Sequence, residues 1–369
     1  MDVRNKKLAQ LLVNYSTRVK KGEKVWVDCI GTAPLPLLEA VVEEIVKAGG
    51  IPFYQMLNQK VTRRMVEYGS EAMWKELGEI DRQRMGKMDA YIGIRGQENI
   101  FQMAGIPHQR TIFFTKYYQE PVHIKQRVEN TKWVVLRYPN PSFAQSAMMS
   151  DEAFENYYFD VCTLDYKRLS KVMEPLVRLL KKTKEIRLAG QGTDLTIGVK
   201  GMTWIKCDGK WNIPDGEVFT SPIKTEVNGK ITYNTKTESD GELFSDISFD
   251  IKDGKIINAD CTSGNTKKLN QILDTDPGAR YFGEFSFGTN PYITHEILDI
   301  LFDEKINGSN HLTPGNSYKE CFNGNSSAVH WDLIIIGCDV YADGKLIRKG
   351  REFVHPSLKG LNPANFEKK

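Results

Sequence analysis

Residues 24–57 constrain this chain more than any other stretch. KVWVDCI reads as a strand, and residues 34–48 then carry Leu37, Leu38, Val41, Val42 and Ile45 along one helical stripe. The Gly49-Gly50 pair stops that helix before a second strand, IPFYQML. A strand, a helix and a strand on such short connections favour a parallel sheet.

The alternation continues. Residues 71–87 read as a helix, AYIGI at 90–94 as a strand, 116–130 as partly helical and KWVVL at 132–136 as another strand. Helices at 151–158 and 164–183 follow, the second bent at Pro175. Residues 1–185 therefore form an N-terminal open α/β domain with a largely parallel sheet. The charged seam KKTKE at 181–185 marks its end. Beyond it come IRLAG, DLTIGVKG, TEVNGKITYN and FDIKDGKIINAD, short β-forming runs with turns between them. Asn228-Gly229, Asp253-Gly254 and the GQG at 190–192 are the expected hairpin turns. Residues 186–369 are thus an α+β C-terminal domain rich in antiparallel strands, with one helix expected over 292–304.

Composition removes several function classes. Of 369 residues, 50 are basic and 47 acidic, so the formal net charge of +3 leaves no electrostatic footprint for nucleic acid. No window approaches eighteen consecutive apolar residues, which argues against a membrane span. MDVRNKKLAQLLVNY is charged from the start and lacks the apolar core of a secretory signal. The six cysteines are scattered with no CxxC, as suits reduced, mostly buried thiols in the cytoplasm. Dinucleotide binding needs GxGxxG between a strand and a helix, and the first strand here leads into CIGTAPLP. No GxxxxGK[ST] occurs either.

Chemistry concentrates in residues 281–332. YFGEFSFG holds Glu284 amid aromatic residues, where a carboxylate needs a cation to offset burial. HWD puts His330 and Asp332 at positions i and i+2 of a stretch leading into LIIIG, so on a strand both point the same way. His311 and Tyr318 flank a Pro-Gly turn, and upstream Glu217 follows the turn in PDGEVFTSP. Mixed carboxylates and imidazoles suit a pair of hydrolytic divalent ions, because oxygen ligands share charge and neutral imidazoles fix geometry.

Taken jointly, PDGEVFTSP, FGEFSFGTNP, EKxxGxxHL, a tyrosine seven residues after that histidine and then HxD resemble the M29 metallo-aminopeptidases, the aminopeptidase T and S type. The resemblance covers most of the chain and implies an N-terminal α/β domain ahead of a metal-bearing one. It further implies two divalent ions, zinc, cobalt or magnesium, on Glu217, Glu284, His311, His330 and Asp332, with Tyr318 as the active-site tyrosine. Tyr318 and Glu217 stand as the catalytic side chains. His295 and His355 match no family ligand, and the segment between His311 and His330 is shorter than in longer members. The activity so implied is removal of N-terminal residues from short peptides by hydroxide attack, with Tyr318 stabilising the oxyanion, in a cytoplasmic homodimer. Two alternatives stand beside it. One is another dinuclear metallohydrolase, an amidohydrolase or a phosphoester hydrolase. The other is a two-lobed binding protein without catalysis.

Overall fold

Four strands, Lys24–Ile30, Ile51–Leu57, Ala90–Arg95 and Lys132–Arg137, run parallel in a computed structural model that describes residues 2–239 and 242–366. Ile51–Leu57 is the edge, followed by Lys24–Ile30, Ala90–Arg95 and Lys132–Arg137, and the short Asn212–Ile213 strand closes the far side. Val25, Trp26, Val27 and Cys29 are all fully buried, so side chains on both faces of this strand are covered, as in a parallel sheet packed on both sides. The Leu35–Lys47 helix buries Leu37, Leu38, Val41 and Ile45, the stripe expected from the spacing. Trp26, Met85, Met88, Tyr91, Val122 and Val135 form a core cluster. The strand from 90 extends one residue further than AYIGI, and the helical run over 115–128 contains Pro121.

By its internal contacts the chain divides into two units, one of Met1–Leu164 with Gly209–Ile213 and one of Asp165–Asp208 with Pro214–Lys369. The fold class is mixed α/β, with the parallel sheet in the first unit and antiparallel sheets in the second.

The second unit carries an eight-stranded antiparallel sheet and a five-stranded one. The latter runs Ile334–Ile336, Ser309–Pro314, Phe282–Gly288, Glu217–Thr220 and Ile205–Cys207. Phe282–Gly288 lies at its centre and is buried at every residue. Arg348 of the larger sheet is completely buried, and its Nη1 donates to the Ser309 carbonyl at 2.8 Å. Tyr233 donates to the Leu312 carbonyl at 3.0 Å. These two bonds tie the Ser309–Pro314 strand to its surroundings at its first residue and at Leu312.

Two expectations fail for identifiable reasons. Residues 292–304 are not one helix: only Ile300–Asp303 is helical, capped by Asp299 Oδ1 accepting from Leu301 N at 3.1 Å. Leu298 at φ 58 and the Asp303 carboxylate, which accepts from Ile297 N at 2.8 Å, hold the preceding residues outside a helix. Asn228-Gly229 is not a hairpin turn but lies inside the Val227–Thr232 strand. Gly229, at φ +125, is needed there because a Cβ would meet the Asp194 carbonyl oxygen at 2.2 Å. Asn228 Oδ1 accepts from Asp253 N at 2.7 Å and so supports the neighbouring hairpin. Asp253-Gly254 and residues 191–192 do form turns between paired antiparallel strands. Among the described residues no helix is long and apolar enough to cross a membrane. All six cysteines are free thiols.

Candidate metal centre

Each side chain at this site is aimed by a strand or by the turn that follows one. Glu217 opens its strand and Glu284 sits in the central strand, while His311 faces Ser286 across the ladder. Beyond Pro314 the chain turns at Gly315, which pairs as an isolated bridge with His330. Gly315 has φ +108, and a Cβ there would meet the Val329 carbonyl oxygen at 2.0 Å. Only glycine therefore lets the 329–332 stretch lie against the turn and bring His330 to the sheet. His330 and Asp332 precede the Ile334–Ile336 strand rather than lying in it, yet their side chains share a side, with Nε2 and Oδ1 3.4 Å apart.

The ligand atoms form two triads, Glu217 with Glu284 and His311, and Glu284 with His330 and Asp332, the atoms of each within 4.8 Å of one another. Glu284 belongs to both. Its Oε1 is 3.1 Å from His311 Nε2 and its Oε2 is 3.4 Å from His330 Nε2. Glu217 Oε2 lies 3.6 Å from His311 Nε2 and accepts from Ser286 Oγ at 3.0 Å. Asp332 Oδ1 accepts from Thr313 Oγ1 at 2.6 Å. His330 Nδ1 meets the Asn316 carbonyl at 2.9 Å, which fixes Nδ1 as the protonated nitrogen and leaves Nε2 to face the site.

Two residues absent from the sequence-derived set complete the site. Lys305 is fully buried, with Nζ 3.6 Å from Glu217 Oε1 and paired with Glu304. It also balances Asp215, so the further group Cys207, Asp215 and Glu217 already has a cation beside it. Burial drives the Glu304 carboxyl up to about 8 against the opposing charge of Lys305, with Glu217 and Asp332 adding to the rise. The signal for both was present in EKxxGxxHL, whose first two letters they are. Read as the end of a helix over 292–304, an adjacent Glu-Lys pair passes for a solvated one.

The electrostatics favour bound cations. Burial alone would raise Glu284, but hydrogen bonds from His311 and His330 outweigh it and hold the carboxyl at about 2. Burial raises Glu217 despite Lys305 and His311. Burial would lower both imidazoles, yet hydrogen bonding to Glu284 and the surrounding carboxylates lift His311 to about 10, and the Asp332 charge with Glu284 lifts His330 to about 9. Once the imidazoles are neutral, the carboxylates of Glu217, Glu284 and Asp332 outnumber the one ammonium beside them, Lys305, which Asp215 and Glu304 also share. Protons on the histidines stand in for ions.

Loading the protein with ions must therefore expel them. Below about pH 8 ion binding is expected to release about two protons per chain, so apparent affinity rises with pH and levels off only above pH 10. Calorimetric titration of zinc in two buffers of different ionisation enthalpy reads the release directly; heats that do not depend on the buffer contradict it.

Tyr318 stands at the mouth, 42% exposed, its ring 4.9 Å from that of His330 and 5.6 Å from Phe219. Desolvation and the nearby Glu284, Asp332, Glu304 and Glu217 push its hydroxyl well above the usual tyrosine value, so it stays a donor. His295 and His355 bond to Thr294 Oγ1 and Ser357 Oγ respectively and take no part in the site.

Residues 1–354 match the family described as thermophilic metalloprotease (M29). The chain belongs to the M29 peptidase family. Aminopeptidase T of Thermus thermophilus is 24% identical over 408 aligned residues, covering 94% of this chain and 97% of that protein. Aminopeptidase T of Thermus aquaticus is 26% identical across 60% of this chain and 65% of its own length, and aminopeptidase 2 of Geobacillus stearothermophilus is 26% identical across 58% and 61%. In those two alignments this M29 peptidase spans a little under two thirds of the relative. The solved structure of wild-type AmpT from Thermus thermophilus superposes with a TM-score of 0.81 at 20% identity, covering 95% of this chain and 99% of that one. A 2,5-dihydroxypyridine dioxygenase from Pseudomonas putida KT2440 shares the fold at a TM-score of 0.62 and 15% identity, covering 97% and 100%.

Proposed function

We propose that this M29 peptidase is a metal-dependent aminopeptidase that removes N-terminal residues from short peptides at a centre of two divalent ions. The observation that carries the reading is Glu284, with one oxygen in each triad, since a carboxylate common to two triads suits a paired centre. Zinc, cobalt or magnesium ions on Glu217, Glu284, His311, His330 and Asp332 would polarise the scissile carbonyl and acidify a water. The Tyr318 hydroxyl donates a hydrogen bond to the oxygen that gains charge in the transition state. Glu304, whose carboxyl burial lifts to about 8, would take the proton that the attacking water loses and return it to the leaving amine. The Lys305 ammonium holds Glu304 and Glu217 apart from one another's charge.

His311, His330 and Glu284 would also make the two-histidine, one-carboxylate set of non-haem iron, and a dioxygenase shares the fold. The additional carboxylates Glu217 and Asp332 favour a pair of ions instead.

Hydrolysis of leucine and arginine p-nitroanilides with and without chelator tests the reading. Release that chelator abolishes is expected. Inactivity with metal bound would point to a different metallohydrolase, and inactivity without metal to a binding protein. Glu304→Gln is expected to lower kcat by about 10²- to 10⁴-fold with metal content retained; an unchanged kcat would remove Glu304 from proton transfer.

We also propose a cytoplasmic homodimer. Free thiols at all six cysteines support a reducing compartment. The edge strand Ile51–Leu57 supports self-association, because Ile51, Phe53, Tyr54 and Met56 are all exposed beside its unpaired backbone. Sedimentation at twice the chain mass, lost in Tyr54→Lys with Met56→Lys, is the expected result. A wild-type monomer contradicts it.

A further inference from the structure

The side chains of the two triads are not carried alike. Glu217, Glu284 and His311 stand in paired strands, and His311 is paired on both sides, to Ser286 and to Ile334. His330 and Asp332 lie in a stretch that precedes its strand. An isolated bridge joins His330 to Gly315, and Trp331 N donates to the Pro314 carbonyl at 3.2 Å. The side chains of His330 and Asp332 are also the more open ones, 24% and 13% exposed against 7% or less for the other three. Metal ligands must be held to within about 0.5 Å, so a stretch with so little backbone pairing needs support from elsewhere.

That support comes from the other side of the same stretch. Trp331, between the two ligands, points away from them as extended backbone requires, and it is buried. Its ring meets fully buried Phe244 edge-on, with centroids 5.5 Å apart, and its Nε1 donates to Thr237 Oγ1 at 3.2 Å. Thr237 and Phe244 face one another across a two-stranded antiparallel ribbon, Thr237–Ser239 with Glu242–Phe244, so both contacts fall on one element. Just before the ribbon, side chains take the place of a backbone ladder. Thr235 Oγ1 donates to the Ile334 carbonyl at 2.8 Å. Asn234 Nδ2 donates to the Ile336 carbonyl at 2.9 Å, and its Oδ1 accepts from Ile336 N at 2.8 Å. Trp331 carries this seam back from the strand to the ligands.

Given the two-ion reading on which this rests, we propose that Trp331 is a positioning residue for one half of the metal centre. Docked on Thr237 and Phe244, it holds His330 and Asp332 where they serve the ion of the Glu284, His330 and Asp332 triad, and the ion of the Glu217, Glu284 and His311 triad does not depend on it. The reason is covalent. The ligands are its immediate neighbours in the chain, so a shift of the Trp331 backbone displaces both of them together. Truncating the indole leaves every ligand atom in place chemically but removes what fixes the backbone between two of them. The other triad stands on ladder-paired strands that Trp331 does not join.

Zinc titration of metal-free, full-length protein in two backgrounds tests this without an activity readout. Glu217→Gln spares the triad of Glu284, His330 and Asp332, whereas Asp332→Asn spares the other, so each is expected to keep one ion. Adding Trp331→Ala is expected to weaken the ion of the Glu217→Gln background by about 10- to 100-fold and to leave that of Asp332→Asn unchanged. A general loss of structure would weaken both alike. Trp331→Phe keeps a ring against Phe244 and is expected to restore the affinity. Phe244→Leu, which alters no ligand and no neighbour of one, is expected to show the same selectivity with a smaller loss, and it replaces Trp331→Ala if thermal unfolding shows that variant unfolded. Equal weakening in both backgrounds, or none in either, overturns the proposal, and two ions on the wild type would then leave the two-ion reading standing. Fewer than two ions on the wild type removes both.

Discussion

Glu284→Gln is expected to stay folded, to lose its ions and to hydrolyse no peptide. The substitution keeps the shape of the side chain and removes the charge that both triads share, so each would be left with one carboxylate and one imidazole. Substitutions that merely reorient a ligand cost 10- to 100-fold in metal affinity, so losing a shared ligand should cost at least about 100-fold. The fold survives because the Phe282–Gly288 strand is held by backbone pairing on both sides, to Ser309–Pro314 and to Glu217–Thr220, with fully buried Phe282, Phe285 and Phe287 around it. Circular dichroism, elemental analysis and a p-nitroanilide assay on one preparation check the three parts. Full activity in this variant would exclude Glu284 as a ligand.

Tyr318→Phe separates chemistry from metal binding. Tyr318 is in neither triad, so metal content should be unchanged. Its ring remains against His330 and Phe219 after the substitution, and only the hydroxyl is lost. A donor used only in the transition state is worth roughly 10²–10³ in kcat, about 2.7–4 kcal/mol, with KM little altered. Steady-state kinetics on metal-replete protein measures this, and loss of metal in the variant would assign the tyrosine a different role.

What the sequence made legible follows period and chemistry. The stripe in residues 34–48 and the apolar strands around it gave the parallel sheet, because burial on both sides of a strand and one side of a helix writes two different periods. The pairing of His330 with Asp332 was readable for a related reason: extended backbone alternates sides whether or not it is bonded as a strand, and here it is not. Glu304 and Lys305 were hidden by a mistaken helix. Tyr292 to Leu298 carry apolar residues, but Asp299 and Asp303 spend their carboxylates on backbone N–H groups and hold that stretch in loops. Asn228-Gly229 misled in the opposite sense, since a glycine required for the close approach of Asp194 has the same letter as one required for a turn. The approach of Asp194 to Gly229 is not local in sequence, so no reading of short windows recovers it.

Elemental analysis of gently purified protein tests the central claim most directly. Two divalent ions per chain in the wild type are predicted, falling to fewer than one in Glu284→Gln. A wild-type protein that is folded and active with no bound metal, or one whose two ions persist undiminished in Glu284→Gln, would contradict a centre built on that shared carboxylate.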